Sequence, residues 1–234
     1  MSSSPAHGRP KPGGLPLGGT SDVPAGRGAD IRAKGLIRQA NRELILAAAE
    51  RIFARAGFNG ASMGAIAEAS GLPKSNLHYY FGSKQALYRE VLARTLHDWL
   101  VPLDSIQPEA DPRTALASYI RAKMAMSAER PDASRVFANE VLHGAPVLGE
   151  LMRDELRAMV EKKAAVIDGW AAAGRMAAVD ATHLFFTLWA ATQTYADFEV
   201  QVCAVLGRER LNAADHQRAT EHVVTLVLRG CGLG

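Results

Sequence analysis

A short segment of the sequence, LPKSNLHYYF at residues 72–81, concentrates side chains that can form hydrogen bonds with nucleic acid. An asparagine carboxamide can bond to base edges, a lysine can reach guanine or a phosphate, and hydroxyl groups can bond to phosphates. We therefore predict DNA contacts from the polar side chains Lys74, Ser75, Asn76, His78 and Tyr79. Of the adjacent tyrosines, Tyr79 and Tyr80, one is expected instead to pack this segment against the next helix.

The apolar residues around this segment predict two short helices joined by a tight turn. They recur three and four residues apart, on one helical face, at Met63, Ile66 and Ala67 and again at Leu77 and Phe81. Gly71 and Pro73 interrupt the pattern, and Pro73 suits the first turn of a new helix. The pattern therefore predicts a helix-turn-helix whose second helix, from Pro73 to about Tyr80, presents the polar side chains to DNA.

Two polar residues at helix starts are further candidates for DNA contact. Ser62 is placed to cap the first helix of the motif, and its hydroxyl can also touch a phosphate. Lys84 follows Ser83, the expected N-cap of the next helix, where a cation opposes the helix dipole unless a bound phosphate compensates for it. The alternative for Lys84 is a solvated side chain at a cost of roughly a few tenths of a kcal/mol.

The chain before the motif divides into a tail and a supporting helix. Helical spacing of apolar residues runs from about Arg38 to Ala56, and Gly57 lies where a left-handed C-terminal cap is expected. Residues 1–28 hold seven glycines and five prolines and almost no large apolar residue. Such a composition cannot offset the conformational entropy that is lost when a backbone is ordered. We predict that residues 1–35 form a disordered basic tail, which either reaches the minor groove or is a solubilising extension.

Charge and composition favour a water-soluble protein whose N-terminal part binds the phosphates of a nucleic acid. Residues 1–84 contain 11 Lys/Arg and 5 Asp/Glu, whereas residues 85–234 contain 16 and 19, so the net charges are +6 and −3. No apolar run approaches the roughly 20 residues of a membrane-spanning helix, and there is no secretory signal pattern. The two cysteines, Cys203 and Cys231, have no metal-binding spacing. We expect a cytoplasmic protein without a metal or cofactor.

The remaining sequence predicts an all-α protein of about nine helices. Helical segments with proline or glycine between them are expected at about 84–106, 112–129, 132–142, 147–173, 180–206 and 211–230. We assign residues 36–84 to a three-helix DNA-binding domain and residues 85–234 to an effector-binding and dimerisation domain. The last two helices are rich in apolar residues, and they either form a four-helix seam with a second copy or are buried within one protomer.

The segment LPKSNLHYYFGSKQAL resembles the helix-turn-helix signature of TetR-family transcriptional regulators. Further stretches, including HDWLVPL, PDASRVFANEVLHGAP, IDGW and LWAATQTYADFEVQV, resemble the uracil-responsive subfamily that regulates pyrimidine utilisation. The resemblance implies a dimeric repressor or dual regulator that binds a palindromic operator. It also implies a small effector in the C-terminal domain that changes the spacing of the two DNA-reading heads.

The effector candidates are centred on one predicted helix. Trp189 and Gln193 are four residues apart and share a helical face with Tyr195 nearby. A planar imide such as uracil needs an apolar wall and a paired donor and acceptor, which Trp189 and Gln193 can supply. Weaker candidates for the same pocket are Arg135, Asn139, Lys123 and Trp99. The alternative is that Trp189 is a core residue and Gln193 a polar residue at a dimer seam.

Two other classes of function compete with this interpretation. The body can instead bind an apolar drug-like or lipid-like ligand, lined by Met124, Met126, Phe137, Phe185 and Phe186. An enzyme is the third class, but the sequence contains no glycine-rich phosphate loop, G-x-S-x-G elbow or H-E-x-x-H helix. We therefore predict that the chain is not an enzyme.

Overall fold

The computed structural model describes residues 25–234, with side chains from Arg32 onward. Residues 1–24 of the predicted tail lie outside the described residues. Residues 25–39 are helical and belong to a unit distinct from the compact body of residues 40–234. The first helix begins earlier than the pattern of apolar residues indicates, because no proline lies between Pro24 and Pro73 and good helix formers such as Ala29, Arg32 and Ala33 come next.

The described part of the chain is helical and contains no β-strand. Residues 25–234 form ten α-helices, in order α1 Ala25–Gly60, α2 Met63–Ser70, α3 Lys74–Phe81, α4 Lys84–Leu100, α5 Pro112–Glu129, α6 Pro131–Leu142, α7 Arg157–Ala172, α8 Ala181–Asp197, α9 Glu199–Leu206 and α10 Ala213–Gly230. A 3₁₀ segment, Val101–Ser105, follows α4, and a helical turn and a π-helical segment, Gly149–Leu151 and Met152–Leu156, precede α7. The predicted all-α class is confirmed.

Side-chain caps fix the start of several helices. Ser62 and Ser83 accept hydrogen bonds from the backbone N–H groups of Ala65 and Ala86, each at 3.1 Å. Asn212 and Asp215 form a reciprocal capping box at the start of α10. Local sequence therefore determines where these elements begin.

The turn between the two motif helices depends on a glycine. Gly71 has φ 69° and ψ 16°, and its N–H bonds to carbonyl groups in the last turn of α2. A side chain is strained in that left-handed conformation. Gly57, where a left-handed cap was expected, has φ 65° but ψ 176°, so the positive φ is confirmed, and α1 is kinked at Gly57 before its last residues to Gly60.

Two hydrophobic clusters organise the compact body. The first holds α1 to α4 together and includes Phe53, Ile66, Leu77 and Leu87 at 0–1% exposure. It also includes Val136 and Phe137 of α6, so this helix packs against the DNA-reading end of the molecule. The second cluster lies among α5, α7, α8 and α10. Since α6 also contacts α8, it lies between the two clusters.

Two long helices of the sequence prediction are shorter in the structure. The predicted helix 84–106 ends at Leu100 as an α-helix and tightens to 3₁₀ geometry, because Pro102 cannot donate to the helical ladder. The predicted helix 180–206 breaks at Phe198, where φ is −116° and ψ is 30°. Just before the break, the Ala196 carbonyl accepts a hydrogen bond from Arg135 Nε at 3.0 Å. The insertion of a side chain into the helical hydrogen-bond ladder is a recognised cause of a helix kink.

The described helices include none that is both long enough and apolar enough to cross a membrane.

Candidate DNA-binding surface and effector pocket

Helix α3 has one buried and one exposed face. Leu77 is fully buried and anchors the helix on the first cluster. On the other side, Lys74, Ser75 and His78 are exposed and Asn76 is half-buried. The His78 ring lies 2.9 Å from the Gly82 carbonyl, which closes the end of α3. The predicted reading helix therefore exists, and its polar residues stand at the surface as a DNA contact requires.

The two tyrosines of α3 have different environments. Tyr79 is 73% exposed, whereas Tyr80 packs on the first cluster and lies 5.2 Å from the Tyr79 ring, centroid to centroid. Asn41 Nδ2 also approaches the Tyr80 hydroxyl at 3.5 Å. The packing tyrosine is therefore Tyr80, and Tyr79 is the one at the surface.

Lys84 lies in a different environment from the solvated or phosphate-bound one that the sequence suggested. Its Nζ donates hydrogen bonds to the carbonyls of Phe58 at 2.8 Å and Ala61 at 2.9 Å. The ammonium also lies 4.5 Å from the centroid of the Phe58 ring. Lys84 therefore ties the start of α4 to the chain that enters α2, and a phosphate contact by this residue stays a prediction, as does one by the exposed cap Ser62.

The two principal effector candidates line one cavity of about 50 Å³ inside the body. Trp189 and Gln193 reach it from α8, and Trp99 from α4. The other lining residues are Leu96, Leu100, Leu103, Tyr119, Lys123, Phe137 and Leu156. Leu156 ends the π-helical segment, and such distortions often occur where a helix shapes a binding site.

The polar groups of this effector pocket come from α5 and α8. Lys123 is 2% exposed, and its ammonium lies 3.7 Å from the Trp99 ring centroid. Burial lowers the pKa of Lys123 to about 7, although the charge of Asp197 opposes this shift. Trp189 Nε1 donates to the Tyr119 hydroxyl at 2.9 Å, and burial raises the pKa of Tyr119 to about 12. Among the described residues, none forms a hydrogen bond with the Lys123 ammonium or the Gln193 carboxamide.

Three other predicted effector residues lie outside this pocket. Tyr195 and Arg135 line a separate cavity, and Asn139 lines a cleft near the C-terminal end of α1. Arg135 pairs with Asp132 at 3.2 Å and Glu199 at 2.5 Å. Tyr195 was predicted with Trp189 and Gln193 because the three share a helix, but a side chain two residues beyond Gln193 points to another face. Arg135 and Asn139 lie on α6, and periodicity alone does not show which neighbouring helix their side chains meet.

Sequence reasoning missed Tyr119 as a pocket residue. Tyr119 and Lys123 are four residues apart on α5, so both side chains project from the same face. A tyrosine and a lysine on an otherwise apolar helical face are the sequence feature that indicates polar groups directed into a pocket.

Helix α6 connects the surroundings of the pocket to the first cluster. At one end, Ser134 Oγ donates to Asp197 at 2.6 Å. At the other, the Glu140 carboxylate accepts from the Tyr88 hydroxyl at 3.1 Å and from the N–H groups of Val147 and Leu148 at 2.6 and 3.2 Å. A helix-turn-helix unit supported by a helical body with an internal pocket defines the class of helix-turn-helix transcriptional regulators.

Comparison with known proteins identifies the family. Residues 45–91 match the model for bacterial regulatory proteins of the tetR family, and residues 92–234 match the C-terminal region of YcdC-like proteins. The chain is 41% identical over 191 residues to the HTH-type transcriptional regulator RutR of Escherichia coli K12, which covers 82% of this chain and 90% of the relative. This chain belongs to the TetR family.

A second relative and the solved structures agree. The HTH-type transcriptional repressor NicS of Pseudomonas putida is 32% identical over 121 residues, covering 50% of this chain and 55% of the relative. A tetR-family regulatory protein from Rhodococcus RHA1 has the same fold, with a TM-score of 0.66 at 19% identity over 83% of this chain and 98% of that one. The TetR-family regulator PfmR of Thermus thermophilus has a TM-score of 0.59 at 21% identity, over 79% of this chain and 97% of that one. The predicted DNA-binding regulator, as opposed to an enzyme, is confirmed.

Proposed function

We propose that this protein is a dimeric repressor that binds a palindromic operator and releases it when a small planar imide, uracil or a close relative, enters the effector pocket. The observation that carries the proposal is the meeting of the Lys123 ammonium, the Gln193 carboxamide and the Trp99 and Trp189 rings in one cavity. We also propose that it acts in the cytoplasm, where its operator would be.

The chemistry of the pocket suits a cyclic imide. Gln193 offers one donor and one acceptor in a single group, which matches an N–H and C=O edge. Lys123 offers further donors to a second carbonyl, and the two indoles provide walls for a flat ring. A desolvated ammonium without a hydrogen-bond acceptor costs free energy, which a ligand carbonyl recovers in part. A long apolar ligand would leave that cost in place, which disfavours the drug-like or lipid-like alternative.

The DNA-reading part of the proposal assigns Lys74, Ser75, Asn76, His78 and Tyr79 to the operator, with Ser62 and Lys84 at its edge. The support for this assignment is the exposure of Lys74, Ser75, His78 and Tyr79 along α3. An eight-residue helix spans about 12 Å and reads only a few base pairs. A second reading helix, supplied by a second copy, would be needed to specify a longer palindrome.

The C-terminal helices offer the surface for that second copy. Val200, Val205 and Leu206 of α9 are 87%, 80% and 49% exposed, and Phe186 of α8 and Leu226 of α10 are 50% and 62% exposed. Exposed apolar side chains of this size are candidates for contact with another protein. These residues support the four-helix seam that the sequence analysis considered.

The test is titration of the purified protein with uracil, thymine and an apolar ligand of similar size. We expect uracil to change Trp fluorescence and to release a fluorescent operator fragment, since Trp99 and Trp189 line the pocket. Gln193→Ala should weaken this response at least about tenfold, as expected when a buried polar contact is removed. Gln217→Ala, an exposed glutamine on α10, is the matched control. A full response from Gln193→Ala would contradict the assignment.

A further inference from the structure

A second cavity, of about 340 Å³, lies apart from the effector pocket and is lined mainly by charged and polar residues. Its walls come from the C-terminal part of α1, from α5 and α6, from the end of α8 and the starts of α9 and α10, and from the segment that joins α9 to α10. The volume lies within the usual range for small-molecule sites, about 300–1,000 Å³. None of the residues that line the effector pocket contributes to it.

The cationic groups of this cavity outnumber the carboxylates that could neutralise them. Asp132 and Glu199 are both engaged by Arg135. Arg55 and Arg210 also line the cavity, and neither guanidinium forms an ion pair or hydrogen bond with a described residue. With three guanidinium groups and two carboxylates, the cavity carries a net charge of +1, and two of its guanidinium groups have no carboxylate partner. Guanidinium groups bind phosphate and carboxylate oxygens in paired hydrogen bonds.

A buried imidazole nitrogen at the same place supports an external ligand. Among the described residues, His216 Nδ1 is a fully buried side-chain nitrogen without a hydrogen-bond partner. His216 lines this cavity from α10. Buried polar atoms are nearly always hydrogen-bonded, so a bound water or a ligand that reaches the imidazole ring would supply the missing partner. Ser127 lines the same wall and adds a hydroxyl group.

We infer that this cavity is a second ligand site, for a small phosphate monoester whose organic part packs against Tyr195. Arg55, Arg210 and His216 would hold the phosphate, while Tyr195 offers a ring face to a flat group. Since Arg55 lies on α1 and the other two anchors lie on or before α10, the ligand would join the support of the DNA-reading motif to the C-terminal helices.

Isothermal titration calorimetry on the full-length protein, at constant ionic strength, tests this site. The probes are uridine monophosphate, adenosine monophosphate, inorganic phosphate and uridine. We expect both nucleotides to bind with Kd below about 1 mM, phosphate to bind more weakly, and uridine not to bind this cavity. Lys123→Met should keep the nucleotide affinity, because Lys123 belongs to the effector pocket. Kd above about 1 mM for both nucleotides overturns the inference.

Variants at the cavity locate the binding. Arg210→Gln and His216→Gln should each weaken nucleotide binding about tenfold or more, as expected for a lost charge-assisted hydrogen bond. Arg218→Gln removes an exposed charge on the same helix outside the cavity, and should change Kd less than about twofold. A thermal melt checks that each variant is folded. Equal losses from Arg210→Gln and Arg218→Gln would show a non-specific charge effect and contradict the site.

Discussion

The Tyr88 hydroxyl donates a hydrogen bond to Glu140 Oε2 at 3.1 Å, and both residues are buried. Tyr88 belongs to α4, the helix that leaves the DNA-reading motif, whereas Glu140 lies in the last turn of α6, near the turn to Val147. Burial raises the pKa of Tyr88 strongly, and the charge of Glu140 and this hydrogen bond raise it further. The tyrosine therefore remains a hydrogen-bond donor at neutral pH, and it links the two helices directly.

Replacing Tyr88 by phenylalanine should remove this link and leave the ring packing in place. We expect the free energy of unfolding to fall by about 1–2 kcal/mol, because a buried carboxylate loses one of its donors. Urea denaturation followed by circular dichroism measures the change. Tyr79→Phe, on the 73% exposed tyrosine, should change the stability by less than about 0.5 kcal/mol. Equal effects of the two variants would mean that the Tyr88 contact adds nothing.

The same variant should weaken the coupling between effector and operator. If α6 transmits the signal through Tyr88 and Glu140, Tyr88→Phe will bind operator but need more uracil for release. The ratio of operator affinities with and without saturating uracil measures this coupling. An unchanged ratio would mean that the signal travels by another route.

Lys74 and Lys84 should respond differently to replacement by methionine. Lys74 is exposed on α3, so Lys74→Met should weaken operator binding and leave the free energy of unfolding unchanged. The slope of log K for operator binding against log salt concentration should become shallower by about one. Lys84→Met loses two backbone contacts and should lower the free energy of unfolding by about 1–3 kcal/mol. Fluorescence anisotropy over a range of salt concentrations separates the roles. A reduced salt slope for Lys84→Met would establish its predicted phosphate contact as well.

Lys123 should make stability depend on pH in the neutral and alkaline range. Burial lowers its pKa from 10.5 to about 7, so between these values the unfolded chain binds more protons than the folded one. The free energy of unfolding therefore rises as pH increases from about 7 to 10.5, and below about 7 the folded state carries the full cost of the buried charge. Lys123→Met should flatten this rise and stabilise the protein by about 1–4 kcal/mol at pH 7.

Urea denaturation at several pH values measures both effects, with Lys74→Met as the control for a lost exposed lysine. We expect the stabilised Lys123→Met protein to lose its response to uracil. A variant that is destabilised at pH 7, or that keeps the wild-type slope, would show that the Lys123 ammonium is not a cost to the folded state.

A charge at Val205 should disrupt the proposed dimer. Val205→Glu places a carboxylate on the exposed apolar surface of α9, where a second copy would have to desolvate it. We expect monomers by analytical ultracentrifugation and at least tenfold weaker binding to a palindromic operator, about the loss expected when two linked sites act separately. Val101→Glu, at a 53% exposed valine outside these helices, should remain dimeric. A Val205→Glu dimer would exclude α9 from the seam.

The DNA-reading motif could be predicted from the sequence because its signals are local. The spacing of Met63, Ile66 and Leu77 fixes the buried faces, and the Ser62 cap and the Gly71 turn each act within a few residues of themselves. Short-range hydrogen bonds and φ preferences are encoded where they occur. The boundaries of α2 and α3 could therefore be given to within one or two residues.

The remaining features depend on residues far apart in the chain. Tyr88 and Glu140 are separated by 52 positions, and Lys84 lies 23 and 26 positions from the carbonyls it binds. The break after Asp197 involves Arg135 of another helix. Helical periodicity gives the buried face of each helix but not the residue that it meets. For this reason Trp189 and Gln193 could be placed together, while Tyr195 could not be excluded from their pocket.

The position of α6 has a practical consequence for the construction of biosensors. Phe137 is the side chain that α6 contributes to the effector pocket, whereas Ser134 and Glu140 make its contacts to α8 and α4. The pocket walls on α5 and α8 can thus be randomised to recognise a new metabolite while the mechanical link stays intact. Variants from a library confined to Tyr119, Lys123 and Gln193 would bind the same operator as the parent protein. Only the small molecule to which they respond would change.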